Sequence, residues 1–282
     1  MPFSGSPISG RSVGLWRAPA LLAFGLLTIV AGCQNMRASR PTDWTPDHAV
    51  LAHADFDANR VTVHNVRNCV YRTADDYTPQ YYDRTYDLEQ IASVDFVVVP
   101  FADFAGGAHT FLSFGFDDRQ YVAVSAEMRK RRRDIFPSLR AGLPLRPLIY
   151  VIGDEHDLIG MRTNLRKNDV YVYRLRTNRE QARVMFCDVL ERANTLISRP
   201  EYYNVVTNNC NTNALRHVNR VAARPVPYTW QVLLPGYSDR LVYQMGLLDT
   251  DTSFEQTRQR AKVTELAHRY GSSPDFSALI RR

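Results

Sequence analysis

One cysteine lies where a predicted loop gives way to a predicted helix. The segment from Glu201 to His217 reads EYYNVVTNNCNTNALRH and places Cys210 directly after two asparagines. Asparagine is a preferred N-cap residue, and apolar residues then recur at helical spacing. Free backbone N–H groups in a first helical turn favour negative charge, which shifts a thiol toward its thiolate form. Cys210 is therefore a candidate nucleophile, and the alternative is a small buried hydrophobic residue beside a helix cap.

A thiol nucleophile needs a histidine base within hydrogen-bond reach, and two histidines come into question. His217 follows Cys210 by seven residues, which is two helical turns or roughly 10 Å, so a position on the helix surface is expected for it. His109 follows the pair Gly106-Gly107 and begins a predicted strand, HTFLSFGF. It fits the role of a base on a strand that packs against the Cys210 helix.

A third polar group could orient the His109 ring. The segment YVAVSAEM is predicted to pair back on the His109 strand as a hairpin, after a turn at Asp117-Asp118. Ser125 and Glu127 lie two residues apart on it and so share one face. Either could orient His109, while their register against it stays open.

The remaining periodicity predicts a mixed α+β fold, with an antiparallel sheet packed on helices. Residues Arg179 to Ser198 carry the clearest helical repeat, which Pro200 ends. The segment Val61 to Tyr71, which includes Cys69, alternates like a strand. His48 and His53 have no partners at metal-ligand spacing and are interpreted as surface residues. The acidic run at Gly153 to Asp157 has its ligands in consecutive positions, so neither a metal nor another cofactor is expected.

The first residues indicate export. Arg11 and Arg17 precede an apolar run, Ala18 to Val30, which has the length of a signal-peptide core. The run ends in Val-Ala-Gly before Cys33, which resembles a lipobox. We therefore expect a lipoprotein signal peptide at 1–32, a lipid on Cys33, and a tether at 33–46. Gln34 favours the outer over the inner membrane, and an ordinary secretory signal is the alternative.

Composition bounds the partners and the thiol chemistry. The 282 residues have a formal net charge of +6, with a basic cluster at Arg129 to Arg133. Such a surface suits anionic lipid or cell-wall polymers, although a solvated face is the preferred interpretation. Nucleic acid is not expected outside the cytoplasm. With Cys33 lipidated, three cysteines remain, so at least one thiol is unpaired within the chain, and Cys210 is the one placed for reactivity.

Several blocks in this order resemble the Lnb N-terminal periplasmic domain family. They include NVRNCVYR, HTFLSFGF, SAEMRK, GDEHDLIGMR, VYVYRL and YNVVTNNCNTN. The resemblance implies a permuted papain-like, NlpC/P60-like core over residues 47–249, followed by a helical tail at 250–282. It also implies that Cys210 and His109 are the catalytic pair. Beside them, the backbone N–H of Cys210 and the residues Asn208, Asn209 and Tyr203 are our candidates for substrate or oxyanion binding.

The family's namesake transfers an acyl chain to a lipoprotein amino group through a thioester. It also has membrane-spanning segments, which this sequence lacks after its N-terminal run. The leading hypothesis is a periplasmic, thiol-dependent acyltransferase or hydrolase that acts on lipid, lipopeptide or cell-wall acyl groups, with palmitate as a candidate chain. The alternatives are a non-catalytic envelope-binding lipoprotein and a peptidoglycan amidase or peptidase.

Overall fold

The structure, a computed structural model, describes residues 44–117, 119–132 and 146–281. The predicted signal peptide, the lipidation site Cys33 and most of the tether lie outside these residues. So do Asp118 of the predicted turn and Arg133 of the basic cluster.

Ten strands account for the β-structure of the described residues, and most form one sheet. Their bounds are β1 His53–Asp57, β2 Arg60–Arg67, β3 Val70–Tyr71, β4 Tyr77–Thr78, β5 Tyr81–Asp87, β6 Ile91–Phe101, β7 Phe104–Phe116, β8 Tyr121–Met128, β9 Leu148–Gly153 and β10 Tyr171–Arg174.

The main sheet has the strand order β1-β2-β9-β8-β7-β6-β10, and β5 also pairs with β2. All its ladders are antiparallel except the contact of β2 with β9, which is parallel and joins Arg67 to Gly153. Strands β3 and β4 form a separate two-stranded sheet. The predicted hairpin is confirmed, since β7 pairs with β8 in the register Leu112 opposite Val124.

In the described part of the chain the α-helices follow the strands, except for a short one at the start, while the π-helix lies between β9 and β10. Their bounds are α1 Pro46–Ala49, α2 Arg179–Ser198, α3 Cys210–Val218, α4 Trp230–Leu233, α5 Ser238–Gln244, α6 Phe254–Ala261, α7 Thr264–Arg269 and α8 Phe276–Leu279, together with a π-helix, His156–Leu165, and a 3₁₀ turn, Pro235–Tyr237. The predicted helix over 179–198 is confirmed at both ends. Asn178 begins it with a reciprocal capping box to Gln181.

Helices cover both faces of the sheet. On one face, Phe96 and Leu112 belong to a buried cluster with Phe186 of α2 and Leu215 of α3. On the other face, alternate residues such as Val97 and Phe111 pack with residues of the π-helix and of the C-terminal helices α7 and α8. Because successive strand residues point to opposite faces, β6 can be apolar almost throughout and still bury most of its side chains. The fold is α+β with a mainly antiparallel sheet packed on helices, as predicted.

Three positions differ from the sequence-based expectation. Cys69 lies between β2 and β3, so its placement within a strand was wrong. His48 and His217 are buried, at 0% and 2% exposure, and are not surface residues. Cys69, Cys187 and Cys210 are all free thiols. Within the described ranges, no helix has the length and apolar character needed to cross a bilayer.

Candidate active site

Cys210 is the first residue of α3, as the sequence predicts. Asn209 is the N-cap: its side-chain oxygen accepts a hydrogen bond from the Thr212 backbone N–H at 2.9 Å. The Thr212 hydroxyl in turn accepts from the Asn209 backbone N–H at 2.8 Å. This capping box fixes the direction in which the chain enters the helix. The Cys210 residue is 5% exposed, so it lies just beneath the surface.

The first turn of α3 packs where β7 lacks a partner in β8. The β7–β8 ladder ends at Leu112 and Val124, although β8 continues to Met128. In the part of β7 that pairs with β6 but not with β8, the carbonyl oxygen of Ala108 lies 4.0 Å from Cys210 Sγ. The Thr110 hydroxyl donates to the Asn211 side-chain oxygen at 3.4 Å. Helix α3 therefore contacts β7 on both sides of His109.

His109, Ser125 and Glu127 form a continuous polar chain. His109 Nε2 lies 2.7 Å from Ser125 Oγ, and Ser125 Oγ donates to Glu127 Oε1 at 2.9 Å. The direct separation of His109 Nε2 from Glu127 Oε1 is 3.6 Å. The structure thus brings together the three residues that the sequence offered as base and orienting groups, and it uses both Ser125 and Glu127.

The His109 side chain and Cys210 lie on opposite faces of β7. The His109 ring lies on the face that holds Phe111, at 5.7 Å between ring centroids, whereas Ala108 and Thr110 point to the face that α3 covers. In the described ranges no hydrogen bond joins Cys210 Sγ to His109, and His109 Nδ1 has no hydrogen-bond partner. The ring is held through Nε2 alone, which leaves Nδ1 as the nitrogen available to take a proton.

Two further side chains reach Glu127, and the sequence analysis gave neither of them a role. His48 Nε2 lies 3.2 Å from Glu127 Oε2, and Arg162 Nη2 donates to Glu127 Oε1 at 3.3 Å. The backbone N–H of Lys130 donates to His48 Nδ1 at 2.9 Å, which makes Nδ1 the acceptor and leaves the proton on Nε2. His48 comes from α1, Arg162 from the π-helix and His109 from β7, so three separate elements converge on the Glu127 carboxylate of β8.

Burial and charge set the resting protonation of the site. Burial lowers the pKa of His109 to about 3, and the positive charge of Arg162 contributes. Burial alone would raise the pKa of Glu127, but the contact with His48 and the positive charge of Arg162 hold it well below its usual range. The resting site therefore combines a neutral imidazole with an ionised carboxylate.

The thiol is also neutral at rest. Burial raises the pKa of Cys210, and this outweighs the hydrogen bonds from Thr110, Asn211 and Tyr203 that would lower it. The expected shift toward thiolate is thus reversed in this structure, because the helix terminus stabilises a charge less than burial disfavours it.

The two asparagines before Cys210 stabilise the loop. Asn208 Nδ2 donates to Glu201 Oε2 and to the Tyr202 carbonyl oxygen, each at 3.1 Å. Asn209 Nδ2 donates to the Val205 carbonyl oxygen at 2.7 Å. Both amide hydrogens of Asn208 therefore have internal acceptors, and the Asn209 amide is held by one. Tyr203 lies next to the thiol. Burial and the neighbouring Cys210 thiol raise the pKa of its hydroxyl.

Residues 77–236 match the model of the family described as Lnb N-terminal periplasmic domain. The matched range contains His109, Ser125, Glu127, Arg162 and Cys210, and it excludes His48. No curated protein and no solved structure matches the chain, so its relation to papain-like folds stays a prediction. The match spans more than half of the 282 residues. The chain belongs to the Lnb N-terminal periplasmic domain family.

Proposed function

We propose that this protein is a lipid-anchored enzyme of the periplasmic side of the cell envelope that transfers or hydrolyses acyl groups through Cys210. The observation that carries the proposal is the chain His109–Ser125–Glu127, placed against the strand segment that the Cys210 helix contacts. Thiol acyl chemistry uses a held histidine base together with a cysteine at a helix N-terminus, and here the strand that holds the base packs against the cysteine helix.

In the first half-reaction the Cys210 thiol gives its proton to His109 Nδ1 as sulfur attacks an ester or amide carbonyl carbon. A C–S bond forms, and the tetrahedral intermediate expels the alcohol or amine, which takes the proton back from His109. Ser125 and Glu127 hold Nε2 and stabilise the imidazolium that forms transiently. Since Nδ1 and Sγ are not hydrogen-bonded at rest, a side-chain rotation of Cys210 or His109 must precede attack.

In the second half-reaction an acceptor breaks the thioester. An amino group would give acyl transfer, and water would give hydrolysis. In either case His109 takes a proton from the acceptor and returns it to Sγ, so the enzyme ends in its starting state.

The developing oxyanion needs donors close to Cys210. The backbone N–H of Cys210 lies in the first turn of α3, where helical N–H groups have no intrahelical acceptor. The Tyr203 hydroxyl is the second donor that we assign. Such donors contribute about 3–4 kcal/mol each to transition-state stabilisation in acyl-transfer enzymes.

The proposal is tested by turnover of a soluble activated acyl ester. Cys210→Ser should abolish turnover and leave the melting transition nearly unchanged. The matched control is Cys187→Ser, because Cys187 is also a free thiol and lies half-buried on α2. An active Cys210→Ser variant contradicts this mechanism.

A second candidate function is non-catalytic binding of an envelope partner. It is favoured by the burial of Cys210 and by the lack, within the described residues, of a hydrogen bond between its sulfur and His109. Under this alternative, neither Cys210→Ser nor His109→Ala would change any turnover. Among enzymes, a peptidoglycan amidase would cleave cell-wall peptide fragments and leave diacyl lipopeptides intact, whereas a lipid acyltransferase would do the reverse.

A further inference from the structure

Exposed hydrophobic side chains concentrate at one place on the surface. The described residues include thirteen exposed large hydrophobic side chains, and nine of them lie in residues 101–104, 202–206 and 228–237. We call the exposed hydrophobic side chains of these three segments the apolar rim. Phe104, Tyr228 and Trp230 are its most exposed members, at 56–57%. Single exposed hydrophobic residues are ordinary, but a contiguous group marks an interaction surface.

The three segments are in contact with one another. Gly236 lies so close to the β6–β7 hairpin that an added Cβ would sit 2.2 Å from the Ala105 carbonyl oxygen. The Tyr228 hydroxyl donates to the Val206 carbonyl oxygen, and the rings of Trp230 and Tyr237 lie 5.2 Å apart. The apolar rim is therefore one surface built from parts distant in sequence.

This surface adjoins the candidate active site. Asn211, the residue after Cys210, donates through its side-chain amide to the Val232 carbonyl oxygen at 3.0 Å. On another side, Asn209 holds the Val205 carbonyl oxygen, and Cys210 Sγ contacts Ala108 close to the hairpin tip. Each segment of the apolar rim thus lies within a few residues of a group that touches the first turn of α3.

The path of the chain indicates what covers the apolar rim. Strand β7 begins and strand β8 ends at the same end of the sheet, because the two are antiparallel. Trp44, the first described residue, forms a bridge with Arg131 just after β8. The N-terminal segment therefore enters the fold at the end of the sheet that carries the hairpin tip. The basic residues 129–132 lie there too, where they suit anionic head groups.

The distance to a membrane anchor is short. The cysteine of the lipobox-like sequence precedes Trp44 by about eleven residues, which span at most roughly 40 Å when extended. Trp and Tyr side chains prefer the boundary between lipid head groups and acyl chains, because their rings are apolar and their N–H or O–H groups stay hydrated.

We propose that the apolar rim docks on the phospholipid bilayer surface, with Trp230 and the hairpin tip at Phe104 inserted among the acyl chains. Docking in this orientation brings the Cys210 helix to the membrane interface. It does not depend on catalysis, and it would hold for a binding protein as well as for an enzyme.

Fluorescence quenching tests the docking on the processed protein, which begins at the lipid-modified Cys33 and so lacks Trp16. The protein is bound through its N-terminal lipid to vesicles of phosphatidylethanolamine and phosphatidylglycerol that carry bromine on their acyl chains. Bromine quenches a tryptophan that enters the acyl region. We expect quenching of the vesicle-bound protein, and Trp230→Phe should remove it because Trp44 is buried at 6% exposure.

Two further variants test the surface itself. Phe104→Ser should reduce the quenching of Trp230 several-fold, and Leu233→Ser serves the same purpose if the first variant fails to fold. The matched control is Phe56→Ser on the edge strand β1, separated from β7 in the sheet by β2, β9 and β8, which should leave quenching unchanged. Vesicle-bound protein with an unquenched Trp230 would overturn the proposal, as would burial of the rim in a stable dimer. Since quenching is measured without turnover, an inactive enzyme gives the same reading.

Discussion

His109 Nε2 lies 2.7 Å from Ser125 Oγ, so the candidate base is held by a hydroxyl group that stands between it and the carboxylate of Glu127. Both contacts of Ser125 are hydrogen bonds. The Glu127 carboxylate therefore acts on the imidazole through the Ser125 hydroxyl and is not itself hydrogen-bonded to the ring. Ser125 is therefore a positioning residue: without it His109 is still present, but its ring has lost the hydrogen bond that orients it.

Ser125→Ala should lower kcat by about 10²-fold, the lower end of what general acid–base catalysis contributes. KM should change little, since Ser125 is fully buried and contacts His109 and Glu127. Steady-state kinetics with a soluble acyl ester measure the effect. Ser113→Ala is the matched control: this serine is equally buried on β7 but donates to Glu155. Equal kinetic losses in both variants would show a general packing effect and contradict the positioning role.

His48→Ala should lower kcat about 10-fold, by the same positioning logic applied one residue further from the base. Removing the His48 contact should also raise the pKa of Glu127, since that contact is the first of the effects that lower it. The acid limb of the pH–rate profile should therefore move to higher pH, a change that simple destabilisation does not produce. His53→Ala is the control, because the His53 ring packs on another histidine, His64, with 4.6 Å between the ring centroids. An unchanged profile for His48→Ala would remove His48 from the site.

His217→Ala should reduce stability by about 1–3 kcal/mol, the cost of leaving buried polar partners unpaired. His217 Nδ1 lies 2.6 Å from Asp188 Oδ2, and Nε2 lies 2.7 Å from the Tyr150 hydroxyl. These contacts join α3, the helix that begins at Cys210, to α2 and β9. Urea unfolding measures the loss, and kcat below the transition should stay close to wild type. A large loss of kcat without a loss of stability would instead make His217 part of the catalytic machinery.

Stability should fall as the pH drops below the ordinary histidine pKa of about 6.5. Burial lowers the pKa values of His48, His109 and His217 in the folded protein. The unfolded chain therefore takes up more protons, so the stabilisation is complete above about pH 6.5 and is lost toward lower pH.

His109→Gln should reduce that acid loss by up to about 1.4 kcal/mol per pH unit, the contribution of one proton. Urea unfolding at several pH values between about 4 and 7 checks this slope. His64→Gln is the control, since the hydrogen bond to Asp83 raises the pKa of His64, which gives the opposite sign. An undiminished acid slope in His109→Gln would show that His109 is not buried in its neutral form.

Local patterns in the sequence predicted the elements that present the site. The helix over 179–198, the β7–β8 hairpin and the start of α3 at Cys210 all follow from periodicity, caps and turns within a few neighbouring residues. These are short-range signals, so one sequence contains them. His109 was chosen as the partner of Cys210 from its place at the start of a strand, and the family resemblance supported that choice, although no local pattern specifies a contact between the two segments.

Residues placed by distant partners were missed. His48 contacts the Lys130 backbone and Glu127 across about 80 positions, and no spacing rule connects α1 with the end of β8. His217 was predicted on a helix surface, because its partners Asp188 and Tyr150 belong to other elements. The thiol pKa was predicted in the wrong direction for the same reason: the helix terminus is visible in the sequence, whereas the burial of Cys210 under tertiary contacts is not.

Intact-protein mass spectrometry tests the central claim most directly. The lipid-anchored protein, with Cys33 modified, is incubated with an activated acyl ester or a diacyl lipopeptide in detergent and then measured. A thioester mechanism predicts one acyl adduct that is lost in both Cys210→Ala and His109→Ala and retained in Cys187→Ala. An adduct that survives in Cys210→Ala, or no adduct under any condition, would contradict a thioester mechanism and favour the binding function.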